Sequence, residues 1–200
     1  MTDSIAVSRS PHAHTSRARH KFAALLMIVA GLILIIGSGL YEFIAQREAN
    51  PAAAYRPEDI ARDQPLHAVH EMDMPGMNMS RPIPFLPKDS PQPIIAIPAT
   101  FYNFGSIGPK DVVKRDFVIV NRGQAPLTIS RAYTSCDCTS ADFTSVVIPP
   151  GKVSIVTIQF DAGFHPEAAG TTVRRTLIIQ NNDPNNSQLE ITIEAAVRKS

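Results

Sequence analysis

The chain has 200 residues, 44% of them apolar, and a formal net charge of +1. That length accommodates one ordinary domain with appendages. So even a charge balance builds no long-range field for nucleic acid, and a nucleic-acid partner is excluded as a leading reading.

Residues 1–21 form a basic tail in which Arg9, Arg17, Arg19 and Lys21 are opposed only by Asp3. His12, His14 and His20 belong to the same solvated tail. The run from Phe22 to Tyr41 holds no charged residue. At about 1.5 Å per residue it reaches roughly 30 Å, the thickness of a bilayer's hydrocarbon core. A transmembrane helix is therefore expected over 22–44. The positive-inside rule puts the N-terminus in the cytoplasm and the remainder outside. A cleaved secretory signal has a shorter apolar region and a small-x-small site, which Glu42-Phe-Ile-Ala-Gln-Arg does not offer. The expectation is a single-pass anchor in the cell membrane. Either reading exports the rest of the chain.

Residues 45–93 hold nine of the 17 prolines and keep no period of 2 or 3.6. Such chain favours polyproline II, so a disordered, semi-rigid linker is expected, reaching at most roughly 150 Å from the membrane. Only Ala52 to Asp63 reads as a possible short helical turn. Within the linker lies a segment, 67–79, rich in soft ligands: His67, His70, Met72, Met74, Met77 and Met79. Methionine normally fills gaps in cores, but the Pro, Asp and Asn around these residues exclude a core. Exposed thioethers beside imidazoles suit copper, above all Cu(I). Met74-Pro-Gly-Met77 has Pro and Gly where a type II turn needs them. In extended arms side chains two apart share a side, so Met72 and Met74 meet Met77 and Met79 in a sulfur clamp, with His67 or His70 adding nitrogen. The plainer alternative is a linker whose methionines are incidental or trap oxidants.

From residue 94 the texture changes to short strands, with candidates at 94–104, 112–120, 127–134, 142–148, 153–161, 173–181 and 188–197. In the last, Leu189, Ile191, Ile193, Ala195 and Val197 alternate with Glu190, Thr192 and Glu194, the period of a half-buried strand. Asn121-Arg-Gly-Gln, Pro149-Pro-Gly and Asn181-Asn-Asp-Pro mark turns. About seven strands with no helical stretch predict an all-β, immunoglobulin-like β-sandwich over 94–200. The absence of Trp and of widely spaced cysteines excludes the antibody type.

Phe104-Gly-Ser-Ile-Gly, Val112-Val-Lys-Arg-Asp-Phe-Val-Ile-Val-Asn and Ala125-Pro-Leu-Thr-Ile are followed by Ser135-Cys-Asp-Cys-Thr, Ile148-Pro-Pro-Gly, Phe160-Asp and Asn182-Asp-Pro. In this order the motifs resemble the bacterial family called "domain of unknown function 1573", over roughly 94–198. The resemblance implies an immunoglobulin-like sandwich, usually exported, and no settled activity. The family usually carries Gly between the two cysteines, where this chain has Asp137. Asp tolerates left-handed backbone better than most residues but less well than Gly.

Cys136 and Cys138 allow three states: free thiols, a local disulfide or a metal pair. A bridge across one residue departs from relaxed geometry and is easily reduced. As thiolates the pair suits copper; zinc lacks two further visible ligands. A purely structural turn is the plainer alternative. His165, in Phe160-Asp-Ala-Gly-Phe-His-Pro, matters only if the fold brings it to the cysteines; a lone loop histidine is usually surface. No Gly-x-Ser-x-Gly, HExxH or phosphate-binding loop appears, so no enzyme is expected. The leading expectation is a membrane-anchored, extracytoplasmic copper-binding protein, a Cu(I) carrier that delivers to a cuproenzyme. The alternatives are an envelope interaction module that binds a partner through a sheet edge, and a thiol–disulfide exchange protein using Cys136 and Cys138.

Overall fold

The alternating segments of the sequence become the long strands of two packed sheets. The computed structural model describes residue 27, residues 51–70, residue 82 and residues 86–199. The basic tail and the expected transmembrane run lie outside these residues, apart from Met27, which is helical. Met72, Met74, Met77 and Met79 lie outside them too. Among the described residues no helix is long and apolar enough to cross a membrane. The chain divides into two compact units, Met1–Ala49 and Asn50–Ser200, and every strand among the described residues belongs to the second.

Its long strands are β4 (Val112–Asn121), β5 (Leu127–Thr134), β8 (Val153–Asp161), β9 (Thr172–Asn181) and β10 (Gln188–Val197). Shorter ones are β1 (Leu66–Ala68), β2 (Ile95–Ala96), β3 (Phe101–Ile107), β6 (Thr139–Phe143) and β7 (Val147–Ile148). One sheet has the order β1-β6-β8-β4-β2 and the other β3-β10-β9-β5-β7. Neighbours run antiparallel except β3 and β10, which are parallel. The architecture is an all-β, two-sheet sandwich.

The core lies between the sheets. Phe117, Ile119, Val156, Ile158 and Phe160 meet Leu127, Ile129, Leu177, Ile179, Ile191 and Ile193 there. In β10, Ile191, Ile193, Ala195 and Val197 are buried, the face that the alternation marks. A slip of one residue would turn that face to water.

Two expected strands divide. The stretch 94–104 becomes β2 in one sheet and β3 in the other, with Pro98 between them. The stretch 142–148 likewise separates into β6 and β7, again in opposite sheets. Strands that switch sheets at a corner are a standard way of closing a sandwich.

The larger correction concerns the linker. Residues 51–70 fold onto the sheet, although no regular structure was expected beyond a short turn. The turn takes the form of 3-10 helices at Pro51–Ala54 and Pro57–Asp59. The reason lies in β4 and β8, which are apolar on both faces. Val118, Val153 and Ile155 are buried on the outer face by Ala52, Tyr55 and Ile60. Ala61 N–H donates to the Val153 carbonyl at 2.8 Å. Lys152 Nζ meets Asp59 Oδ1 at 2.9 Å, and this hydrogen bond holds the Asp59 carboxyl below its usual range. The chain then adds β1 to the edge at β6, with Ala68 buried.

Asn121 closes one corner. Fully buried, it donates from Nδ2 to the carbonyls of Ala125 and Ile148 at 2.8 and 2.9 Å. Its Oδ1 accepts from Gly123 N–H at 2.9 Å. A Cβ on Gly123 would lie 2.3 Å from the Gln92 carbonyl oxygen, so the turn requires glycine. Replacing Asn121 by Ala takes this partner from two carbonyls and from the amides of Gly123 and Ile94. The expected cost is on the order of 2–3 kcal/mol, read as a lower urea midpoint at unchanged slope.

Candidate functional site

Between β5 and β6 the chain passes from one sheet to the other through Ser135–Cys138, and this turn is fastened on both sides. Ser135 N–H donates to the Thr176 carbonyl at 2.9 Å, and Thr176 N–H donates to Ser135 Oγ at 3.0 Å. On the other side Asp161 N–H, at the end of β8, donates to the Cys138 carbonyl at 2.9 Å. Thr134 Oγ1 lies 3.1 Å from the Cys136 carbonyl oxygen and 2.9 Å from that of Thr139, its one proton shared between them. The turn thus sits between the end of β8 and the middle of β9, two strands joined by the loop 162–171. His165 lies on that loop.

Cys136 and Cys138 form a disulfide, with their Cα atoms 5.2 Å apart. Of the three states open from the sequence, this is the one the structure holds. Asp137 needs no left-handed backbone, since no residue but glycine has positive φ among those described. The sulfurs of Cys136 and Cys138 and a ring nitrogen of His165 all lie within 4.8 Å of one another. The fold thus meets the condition under which His165 matters. Among the described residues this is the one such group of three or more His, Cys, Asp or Glu donors.

Two neighbours shape the charge around it. Arg175, on β9, donates from Nε to Cys138 Sγ at 3.0 Å. His165 Nδ1 lies 2.9 Å from Glu167 Oε1. The Glu167 carboxyl is held below its usual range, first by its own backbone N–H and then by His165, against some desolvation. Sequence reasoning missed Arg175 because it read Val173 to Asn181 only as a strand. No local pattern links Arg175 to a cysteine 37 residues earlier.

His67 and His70 are both placed by backbone pairing. His67, in β1, has Nδ1 2.6 Å from Asp142 Oδ1, and both side chains are exposed. His70 forms a bridge to Thr134 and donates from Nδ1 to the Thr134 carbonyl at 3.0 Å. The two histidines do not join the cysteine group. His70 does, however, bind the residue from which the cysteine turn departs.

Residues 95–197 match the family described as "Protein of unknown function (DUF1573)". The chain belongs to this family. No curated protein matches it. Similar solved structures include a protein of unknown function from Porphyromonas gingivalis W83, 19% identical at a TM-score of 0.48, covering 62% of this chain and 51% of that one. The ASH / PapD-like domain 7 of human CEP192 is 11% identical at 0.42, covering 63% of this chain and 99% of its own. The secreted serine protease VesC of Vibrio cholerae is 11% identical at 0.40, covering 52% of this chain and 23% of its own. The chain therefore spans about half the length of the Porphyromonas protein.

In an NMR titration Glu167 is expected to have a midpoint below that of an ordinary glutamate. The stabilisation tied to its depressed value is present above the unfolded midpoint and is lost as pH falls through the folded one. His165→Ala should raise the midpoint only in part, because the backbone N–H is the larger cause. A full return to the ordinary glutamate value would contradict this account.

Proposed function

We propose that the protein is a membrane-anchored, extracytoplasmic Cu(I)-binding protein, with an immunoglobulin-like sandwich that bears one ligand set and a Met/His arm that bears another. The observation that carries this reading is the convergence of Cys136, Cys138 and His165 within 4.8 Å. Two thiolates and an imidazole are a soft donor set of the kind that suits Cu(I). With metal–ligand bonds of roughly 2.0–2.3 Å, donors around a three-coordinate ion stand about 4 Å apart. Reduction of the disulfide and a small inward movement of His165 would complete that triangle. Cu(I) held by two thiolates is anionic, and the Arg175 guanidinium beside Cys138 Sγ supplies the balancing charge.

The arm is supported by its histidines. Metal-ligating imidazoles usually donate their other N–H to a carboxylate or a backbone carbonyl. His67 and His70 each make such a contact through Nδ1, to Asp142 and to the Thr134 carbonyl, which leaves Nε2 for a metal. The bond from His70 to Thr134 also roots the arm close to Cys136. Met72, Met74, Met77 and Met79 follow directly in the sequence. Thioethers need no deprotonation, so the arm captures Cu(I) and passes it to the reduced cysteine pair. A cuproenzyme of the envelope is the natural acceptor. The uncharged run from Phe22 to Tyr41 supports the anchor and the compartment.

The test is an anaerobic titration of the full chain with thiol-free Cu(I) against a competing chelator. With the disulfide intact about one equivalent is expected, and after reduction about two. Replacing Met72, Met74, Met77 and Met79 by Leu should remove the first. Replacing Cys136 and Cys138 by Ser should remove the second, and His165→Ala should weaken it. Binding no greater than that of a variant lacking all six sulfurs would end the copper reading.

A further inference from the structure

The two sulfurs of the disulfide stand in unlike surroundings. Cys138 is 3% exposed and belongs to the core between the sheets. Its Sγ accepts the Nε–H of Arg175 at 3.0 Å and lies 3.6 Å from the Thr139 hydroxyl. Cys136 is only half-buried, and its Sγ accepts the backbone N–H of Cys138 at 3.2 Å. Phe164, half exposed, packs edge-on against His165.

We propose that this disulfide is a directional thiol-exchange site, in which an incoming small thiolate attacks Cys136 and Cys138 is the sulfur that leaves. Which sulfur is attacked depends on access, and how fast the bond breaks depends on how well the departing charge is held. Both criteria select the same direction here. Cys136 is the more exposed residue of the two, and Cys138 Sγ already faces a guanidinium. Arginine keeps its charge at any pH at which a thiolate attacks.

In the first step the thiolate forms a bond to Cys136 Sγ and the Cys136–Cys138 bond breaks. Its electron pair passes to Cys138 Sγ, whose negative charge faces Arg175. In the second step another thiolate attacks the external sulfur of the mixed disulfide. A small disulfide departs and Cys136 is released as a thiolate. Two thiols are oxidised and one protein disulfide is reduced, a balanced two-electron exchange. In the reverse direction Cys138 is the resolving cysteine, attacking Cys136 to expel the thiol. The inference deepens the copper reading by naming what opens the cysteine site, and it rests on that reading for its purpose though not for its chemistry.

The test uses the full oxidised chain, anaerobic and with a metal chelator present. Glutathione is added and the reaction is quenched within seconds by N-ethylmaleimide. Tandem mass spectrometry of the tryptic peptide 132–152 then locates each modification. The expected product carries glutathione on Cys136 and maleimide on Cys138. Glutathione on Cys138, an even distribution, or no adduct would overturn the proposal. Arg175→Met should slow opening by about tenfold, the worth of one charge-assisted hydrogen bond, with Cys136 still the sulfur attacked. Arg175→Lys should recover part of that rate. Opening of Arg175→Met at the wild-type rate would remove Arg175 from the mechanism. The peptide map of the unaltered chain does not depend on any variant folding. Because no metal is present, failure here is distinct from failure of the copper titration. Chemically reduced protein that binds Cu(I) but whose disulfide glutathione never opens would overturn the exchange proposal alone.

Discussion

Thr134 ties three parts of the molecule together. It is fully buried at the end of β5. Its hydroxyl proton is shared between the Cys136 and Thr139 carbonyls. Its N–H donates to the Val69 carbonyl at 3.1 Å, and its own carbonyl accepts from His70. One residue thus holds the crossing between the sheets, the turn that bears both cysteines and the end of the incoming arm. A buried hydroxyl is valuable here because each carbonyl it serves would otherwise lie out of water without a partner. The positions of the remaining groups follow from that crossing. The end of β8 and the middle of β9 flank it, and the loop between those strands brings His165 to the disulfide.

The site joins two demands usually met apart. A thiolate is stabilised by a neighbouring cation and by access to water, whereas a sulfur packed in an apolar core is favoured in an uncharged form. Here the burial is divided unequally between two residues separated by a single one. Cys138 packs as a core residue and keeps a cation at its sulfur, while Cys136 stays within reach of solvent. A cation beside a sulfur favours that sulfur's thiolate form. The Arg175 contact is therefore better matched to the reduced state than to the oxidised one.

Much of the sandwich was legible in the sequence. The bounds of β5, β8 and β10 coincide with the segments 127–134, 153–161 and 188–197. In those strands alternation is set by one buried face, so pattern and structure obey the same constraint. What escaped was decided by contacts between distant residues. β1 is three residues long, too short to show a period, and it exists because β6 offers an edge. Ala52, Tyr55 and Ile60 lie in a stretch that signalled only a short helical turn; nothing local shows that they pack on the sheet, where Val118, Val153 and Ile155 need cover. His165 read as an ordinary loop histidine because nothing local marks it. Its relation to Cys136 and Cys138 comes from topology alone. The spacing of the cysteines revealed that they form a pair, but not which of the two would be buried.

β10 is the last strand of the sandwich in sequence, yet it lies between β3 and β9 in space. It pairs in parallel with β3 and antiparallel with β9. During synthesis the inner edges of β3 and β9 must therefore wait, unpaired, until residues 188–197 arrive. Such long-range closure is slow and leaves strand edges open to other chains in the meantime. Any cut before Gln188 would remove not a tail but the middle of a sheet. The sandwich is in this sense an all-or-nothing object, and its quality control is built into the order in which its strands are made.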